Sequence, residues 1–174
     1  MATNLQFIEQ FSIANNTSNV LLDNVFSDKY NVYQILLTGY RQISDTGGQR
    51  TTIRFIDSAG NVETGATDYN YASLELNTTT TFGELKSAGT SLIDQVNRVD
   101  TTGSGNANII VYNPYSSNSY TFCQWQSTTV TDPTVVGYKG IGVLKLDETM
   151  RGIQLIQNAT FGGDNIKATV FGVK

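Results

Sequence analysis

Hydrophobic and polar residues alternate along much of this 174-residue chain, and alternation with a period of two predicts half-buried β-strands. The clearest runs are residues 30–40, 51–57, 68–77, 107–113 and 166–174. Glycine, asparagine and serine separate these runs, and such residues are typical of turns. Pro114 follows the fourth run and cannot continue a ladder, so residues 119–126 are expected to pair back as a hairpin.

The pattern as a whole predicts about nine or ten short strands joined by short connections, which favours antiparallel pairing. Residues 85–99 also fit a short helix, but a strand is the preferred interpretation. We therefore expect an all-β fold, an antiparallel two-sheet β-sandwich that is jelly-roll-like. Residues 29–174 are assigned to the sandwich, and the asparagine-rich residues 1–28 to an N-terminal arm or edge strand.

Composition excludes several classes of partner. Charged residues make up 15% of the chain, against roughly 25% in typical soluble domains, and the net charge is −4. No basic stripe is present, so nucleic-acid binding is not expected. The apolar runs are too short to cross a bilayer, so no membrane partner is expected. The first residues also lack the basic and apolar regions of a signal peptide.

The residue types needed for most catalytic and metal sites are scarce. The chain has no histidine, which excludes histidine-based triads and the usual zinc sites. Cys123, the single cysteine, lies in a predicted strand and is interpreted as a buried apolar residue. Paired carboxylates remain conceivable, but most acidic residues lie beside turns or on polar faces. We therefore predict no enzyme activity, no cofactor and no metal.

Aromatic residues are the remaining candidates for a binding site. Tyr69 and Tyr71 fall on one face of a predicted strand, whereas Tyr115 and Trp125 belong to the predicted hairpin. These four side chains could form a sugar-stacking platform or a protein interface. The alternative is that such residues fill the core of the sandwich or cap its ends.

Several segments in order resemble a known family of structural proteins. They are residues 30–39 (YNVYQILLTG), 52–60 (TIRFIDSAG), 69–72 (YNYA), 110–117 (IVYNPYSS) and 167–174 (KATVFGVK). In this order they are similar to small virion structural proteins of tailed bacteriophages, notably phages of marine and cyanobacterial hosts. The resemblance covers residues 30–174 and implies a β-sandwich attached to a capsid or carried on a tail or fibre.

The resemblance implies a capsid decoration, or cement, protein on the capsid surface or tail of a virion. Its expected partners are the major capsid protein or other virion proteins, and a homotrimer is the expected assembly. The alternative is a tail or fibre knob that binds a host receptor or a host surface glycan. A polysaccharide depolymerase using two carboxylates is the third hypothesis.

Overall fold

A computed structural model describes residues 4–43, 49–79, 82–101, 103–131 and 134–174. These residues form twelve β-strands, and no helix is found among them. The strands are β1 (Leu5–Ser12), β2 (Thr17–Leu22), β3 (Val32–Gln42), β4 (Gln49–Asp57), β5 (Tyr69–Asn77), β6 (Gly83–Thr90), β7 (Ile93–Val99), β8 (Gly105–Tyr112), β9 (Thr121–Thr131), β10 (Thr134–Leu144), β11 (Met150–Gly162) and β12 (Lys167–Val173). The all-β prediction is confirmed, and residues 85–99 lie in β6, β7 and the two-residue connection between them.

The strands form two antiparallel sheets. One has eight strands in the order β1-β12-β3-β8-β9-β10-β5-β6, and the other has four in the order β2-β11-β4-β7. The end of β11 also pairs with the end of β3, where Phe161 faces Gln42, so the sheets are continuous at one corner. Strand β7 packs against β5, β8, β9 and β10. The fold is the predicted two-sheet, jelly-roll-like sandwich.

The N-terminal segment contributes to both sheets. Strand β1 lies at one edge of the eight-stranded sheet beside β12, and β2 lies at one edge of the four-stranded sheet beside β11. Leu22, Val25 and Phe26 are buried in the same core as the rest of the chain. The segment 1–28, expected as an arm or an edge strand, thus has no core of its own in its described part.

Alternation along the strands separates the core from the surface. In β9 the odd-numbered residues 121–129 are buried and the even-numbered residues 122–130 are exposed. The largest side chains in the core include four tyrosines, and their hydroxyl groups are hydrogen bonded. Tyr33 donates to the carbonyl of Ser27 at 2.8 Å, for example, and Tyr40 accepts from Nδ2 of Asn97 at 2.7 Å. Within the described ranges, no helix is long and apolar enough to cross a membrane.

A glycine in β10 makes room for the single tryptophan. Gly140 faces Trp125 across the β9–β10 pair, and the indole lies over the glycine. A Cβ atom at position 140 would stand 2.1 Å from Cζ2 of that ring. A glycine inside a strand often marks a bulge or the close approach of another group. Gly140 is a close approach, because β10 keeps an uninterrupted register with both neighbours.

Candidate functional site

The main candidate surface is the outer face, defined here as the side of the eight-stranded sheet that points away from the four-stranded sheet. Among the described residues, thirteen large apolar side chains are exposed, and eight of them lie on this face. The eight are Leu5, Phe7, Leu74, Leu76, Phe122, Val130, Val135 and Ile141. Contiguous exposed apolar patches on soluble proteins commonly mark interaction sites.

Strand register explains why these side chains gather together. Phe122 of β9 lies between Tyr112 of β8 and Val143 of β10, so three apolar side chains stand in one row across the sheet. In the next row, Ile141 lies opposite Ala72 of β5. Residues directly opposite on one face are close enough to touch, so the rows form a continuous strip.

Ile141 is the centre of the outer face. Its side chain is 64% exposed, and it belongs to the lining of two shallow grooves of about 480 and 470 Å³. Ala72 and Gln124 line both grooves as well, so the two are contiguous. A macromolecular partner that fills both grooves would enclose Ile141 completely.

Uncharged amides accompany the apolar strip. Nε2 of Gln34 donates to Oδ1 of Asn108 at 3.0 Å, which holds both side chains against the sheet. Gln124 belongs to both grooves and Gln126 to the larger one. Three charged residues, Lys86, Glu84 and Lys139, line the larger groove, and Lys86 and Glu84 are paired at 2.9 Å. Among the described residues, none that lines the smaller groove is charged, so that groove can be covered without removing ionic groups from water.

The four predicted aromatic residues do not form a common platform. Tyr69 is fully buried and Trp125 is 2% exposed, so neither presents a ring to a partner. Both rings are buried because the odd-numbered positions of β5 and β9 face the four-stranded sheet. Tyr69 stacks on Phe55 with ring centroids 6.4 Å apart, and Trp125 covers Gly140.

Tyr71 and Tyr115 occupy two different environments. Tyr71 is half-buried and packs against the core, where burial, together with the nearby Asp94 carboxylate, raises the pKa of its hydroxyl. Tyr115 is 43% exposed in the connection between β8 and β9. Of the four, Tyr115 alone presents a largely free ring, and it lies off the strands of the outer face.

A substitution at Tyr69 separates its structural role from a binding role. Its hydroxyl accepts from the Phe55 amide at 3.0 Å and donates to the Glu63 carbonyl at 3.1 Å. Tyr69→Phe removes both bonds inside the protein and is expected to lower the free energy of unfolding by about 1–3 kcal/mol. Urea denaturation measures the loss. Tyr115→Phe is the matched control and should change stability by less than about 0.5 kcal/mol. Equal stability of the two variants would contradict the assignment.

Burial and neighbouring charges shift the pKa values of the single thiol and of one glutamate. Cys123 is buried, and burial raises the pKa of its thiol to about 12, so little reactive thiolate forms at neutral pH. Burial raises the pKa of Glu63, and the nearby carboxylates of Glu148, Asp57 and Asp68 add to the effect. Among the described residues, no group of three or more histidine, cysteine or acidic side chains is placed to hold a metal ion.

No protein-family model matches the chain, and no curated protein matches it. Among solved structures it is similar to the PL-14 alginate lyase of Aplysia kurodai, with 7% identity, a TM-score of 0.39, and coverage of 95% of this chain and 81% of that one. The Emp47p carbohydrate recognition domain gives 11% identity, a TM-score of 0.34, and coverage of 99% and 90%. An endo-β-1,4-glucuronan lyase from Trichoderma reesei gives 6% identity, a TM-score of 0.33, and coverage of 97% and 77%. Similarities this weak carry no argument about the function of this chain.

Proposed function

We propose that this protein is a non-catalytic structural component of a virus particle, attached to another virion protein through its outer face. The observation that carries the proposal is the concentration of exposed apolar side chains on one side of one sheet, centred on Ile141. The resemblance to phage structural proteins supplies the kind of particle and partner.

The chemistry of the outer face suits a protein partner. Phe122, Leu74 and Ile141 offer apolar area whose removal from water favours association by roughly 25 cal/mol per Å². Gln124 and Gln126 offer both donors and acceptors that a polypeptide backbone can satisfy. The lining of the smaller groove, which is mostly apolar with amides beside it, resembles the composition of buried interface cores.

The N-terminal strand extends this surface. Phe7 of β1 packs edge-to-face on Phe171 of β12 with ring centroids 6.1 Å apart. Leu5 pairs opposite Val173, and both rows lie on the outer face. Strand β1 thus enlarges the docking surface, and the proposal needs no separate arm.

The non-catalytic part of the proposal rests on the reactive groups. The chain has no histidine, and its single thiol is buried. The acidic cluster around Glu63 lines neither groove of the outer face. A depolymerase would instead cleave host-envelope polysaccharide and lose that activity on substitution of a glutamate or an aspartate. The homotrimer, and the position on capsid or tail, follow from the resemblance and remain predictions.

Binding to particles tests the proposal. The purified protein is mixed with expanded capsids that lack it, and the fraction that cosediments is measured against tails and against particles that already carry it. Saturable cosedimentation with the bare capsids is expected. Failure to cosediment with capsids, or binding confined to tails, would overturn the capsid assignment. Adsorption to host cells in the absence of any virion binding would favour the receptor-binding alternative.

A further inference from the structure

A polar cleft opens where the smaller sheet fails to cover the larger one. Four strands cannot span the inner face of eight, and along β5 the inward positions change from Tyr69 and Tyr71 to Ser73 and Glu75. The resulting cleft has a volume of about 380 Å³ and lies between β5–β6 on one side and β4–β7 on the other. Its lining includes Arg50, Ser73, Glu75, Gln95 and Arg98. This size is in the range of pockets that hold small ligands.

Glu75 is held in a fixed position in the polar cleft. Its Oε2 accepts from the hydroxyl of Tyr138 at 3.0 Å and from Nε2 of Gln95 at 3.3 Å. Burial raises the pKa of Tyr138 to about 12, so that hydroxyl stays protonated and keeps donating. The carboxylate is therefore oriented before any ligand arrives, which reduces the entropy that binding must overcome.

The backbone of β7 is distorted where Gln95 enters the cleft. Gln95 has φ of 58°, a left-handed conformation that is uncommon for residues other than glycine. The β4–β7 register shifts at this point, since Thr51 pairs with Asn97 but Ile53 pairs with Ile93. Irregularities of this kind re-aim side chains, and here the Gln95 side chain, only 6% exposed, is directed at Glu75.

One buried hydroxyl group in the lining of the cleft has no hydrogen-bond partner within the described residues. Ser73 lines the cleft, is 5% exposed, and its Oγ has no hydrogen-bond partner in the described part of the chain. Nε1 of Trp125, on the other side of Gly140 in the same cross-strand row, is also unpartnered there. Buried polar groups are nearly always paired, so each orphan calls for a ligand or water that satisfies it.

The charges of the cleft select the class of ligand. Arg50, which is paired with Asp94 at 2.8 Å, and Arg98 disfavour a cation, whereas Glu75 and Glu84 disfavour an anion. A sugar hydroxyl can donate a hydrogen bond and accept one at the same time, so it can donate to the carboxylate of Glu75 while it accepts from a guanidinium. We propose that this cleft binds a single neutral sugar residue through Glu75, Gln95 and the arginines, with Ser73 at its back. Ser73, Glu84 and Leu85 line both this cleft and the larger groove of the outer face, so the two sites adjoin.

Saturation-transfer NMR on the intact protein tests the proposal, with neutral hexoses and N-acetylhexosamines at up to about 50 mM, since single sugars bind in the millimolar range. Uronic acids and amino sugars serve as the charged comparison. Saturable binding of at least one neutral sugar is expected. Ser73→Ala should weaken it about three- to tenfold, because the orphaned hydroxyl gains its partner only in the complex.

Ser127→Ala is the matched control for Ser73→Ala. Ser127 is likewise buried with an unpartnered Oγ, but it does not line the cleft. Both variants should keep the stability of the parent protein, and the Ser127 variant should keep its affinity. The proposal is overturned if no neutral sugar binds, if charged sugars alone bind, or if the two serine variants bind equally well. Glu75→Gln, which keeps the shape of the side chain, should also weaken binding, and unchanged affinity would count against the site.

Discussion

Replacing Gly140 with valine is expected to lower the free energy of unfolding by about 3 kcal/mol. The new Cβ would stand 2.1 Å from Cζ2 and 2.4 Å from Cε2 of Trp125, far inside contact distance. Trp125 is 2% exposed, so making room for the new side chain requires the indole ring to shift against its packed neighbours. Urea denaturation followed by far-ultraviolet circular dichroism measures the loss.

Gly83 supplies the matched control for this substitution. It also lies in a strand of the same sheet, but the nearest atom to a Cβ built there is Cβ of Glu75 at 3.5 Å, an ordinary contact. Gly83→Val should therefore leave stability unchanged or raise it slightly, because valine suits a strand better than glycine does. Trp125→Leu in the Gly140→Val background should recover part of the loss, which a double-mutant cycle quantifies. Equal effects of the two glycine substitutions would contradict the packing described for Trp125.

Replacing Ile141 with aspartate is expected to weaken attachment to the virion by about 2 kcal/mol or more, roughly 30-fold. The side chain lines both grooves, so a partner that fills them would have to remove the new carboxylate from water. Ile141 is 64% exposed in the free protein, so the change in stability should stay within about 0.5 kcal/mol. Titration of bare capsids with labelled protein measures the affinity.

Leu21→Asp is the control for Ile141→Asp. Leu21 is 51% exposed, comparable to Ile141, but it lies on β2 of the other sheet. Its substitution adds the same charge and removes a side chain of the same size, and it should leave attachment unchanged. A loss of binding in both variants would indicate a general effect of charge. A loss confined to Leu21→Asp would place the interface on the four-stranded sheet.

Alternation was enough to predict the all-β sandwich and its antiparallel pairing, although it predicted about nine or ten strands and the described residues form twelve. It could not assign the faces of the sheet, because both faces of β5 and β10 carry apolar residues. Tyr69 and Leu74 illustrate the problem: they lie on opposite faces of one strand, and the tyrosine, which looks the more polar, is the buried one. Its hydroxyl finds partners only on other segments, Phe55 and Glu63, which no local pattern specifies.

The candidate sites were even harder to predict from the sequence, because they are formed by strands that lie far apart in the chain. Ile141 stands between two glycines in the sequence, a setting that suggests a loop or bulge more readily than the centre of a surface. Its role follows from the neighbouring strands β5 and β9, which are far away in the chain. Likewise, the left-handed backbone conformation occurs at Gln95, a residue type that does not predict it as a glycine would. Such features arise from tertiary packing that overrides local preference.

The central claim is that the outer face is covered when the protein is attached to the particle. Hydroxyl-radical labelling of the free and the particle-bound protein, read by mass spectrometry, tests it most directly. We expect labelling of Leu74, Phe122 and Ile141 to fall on attachment, while labelling of Leu21 on the other sheet stays the same. Unchanged labelling of the three outer-face residues, with protection of Leu21 instead, would contradict the claim.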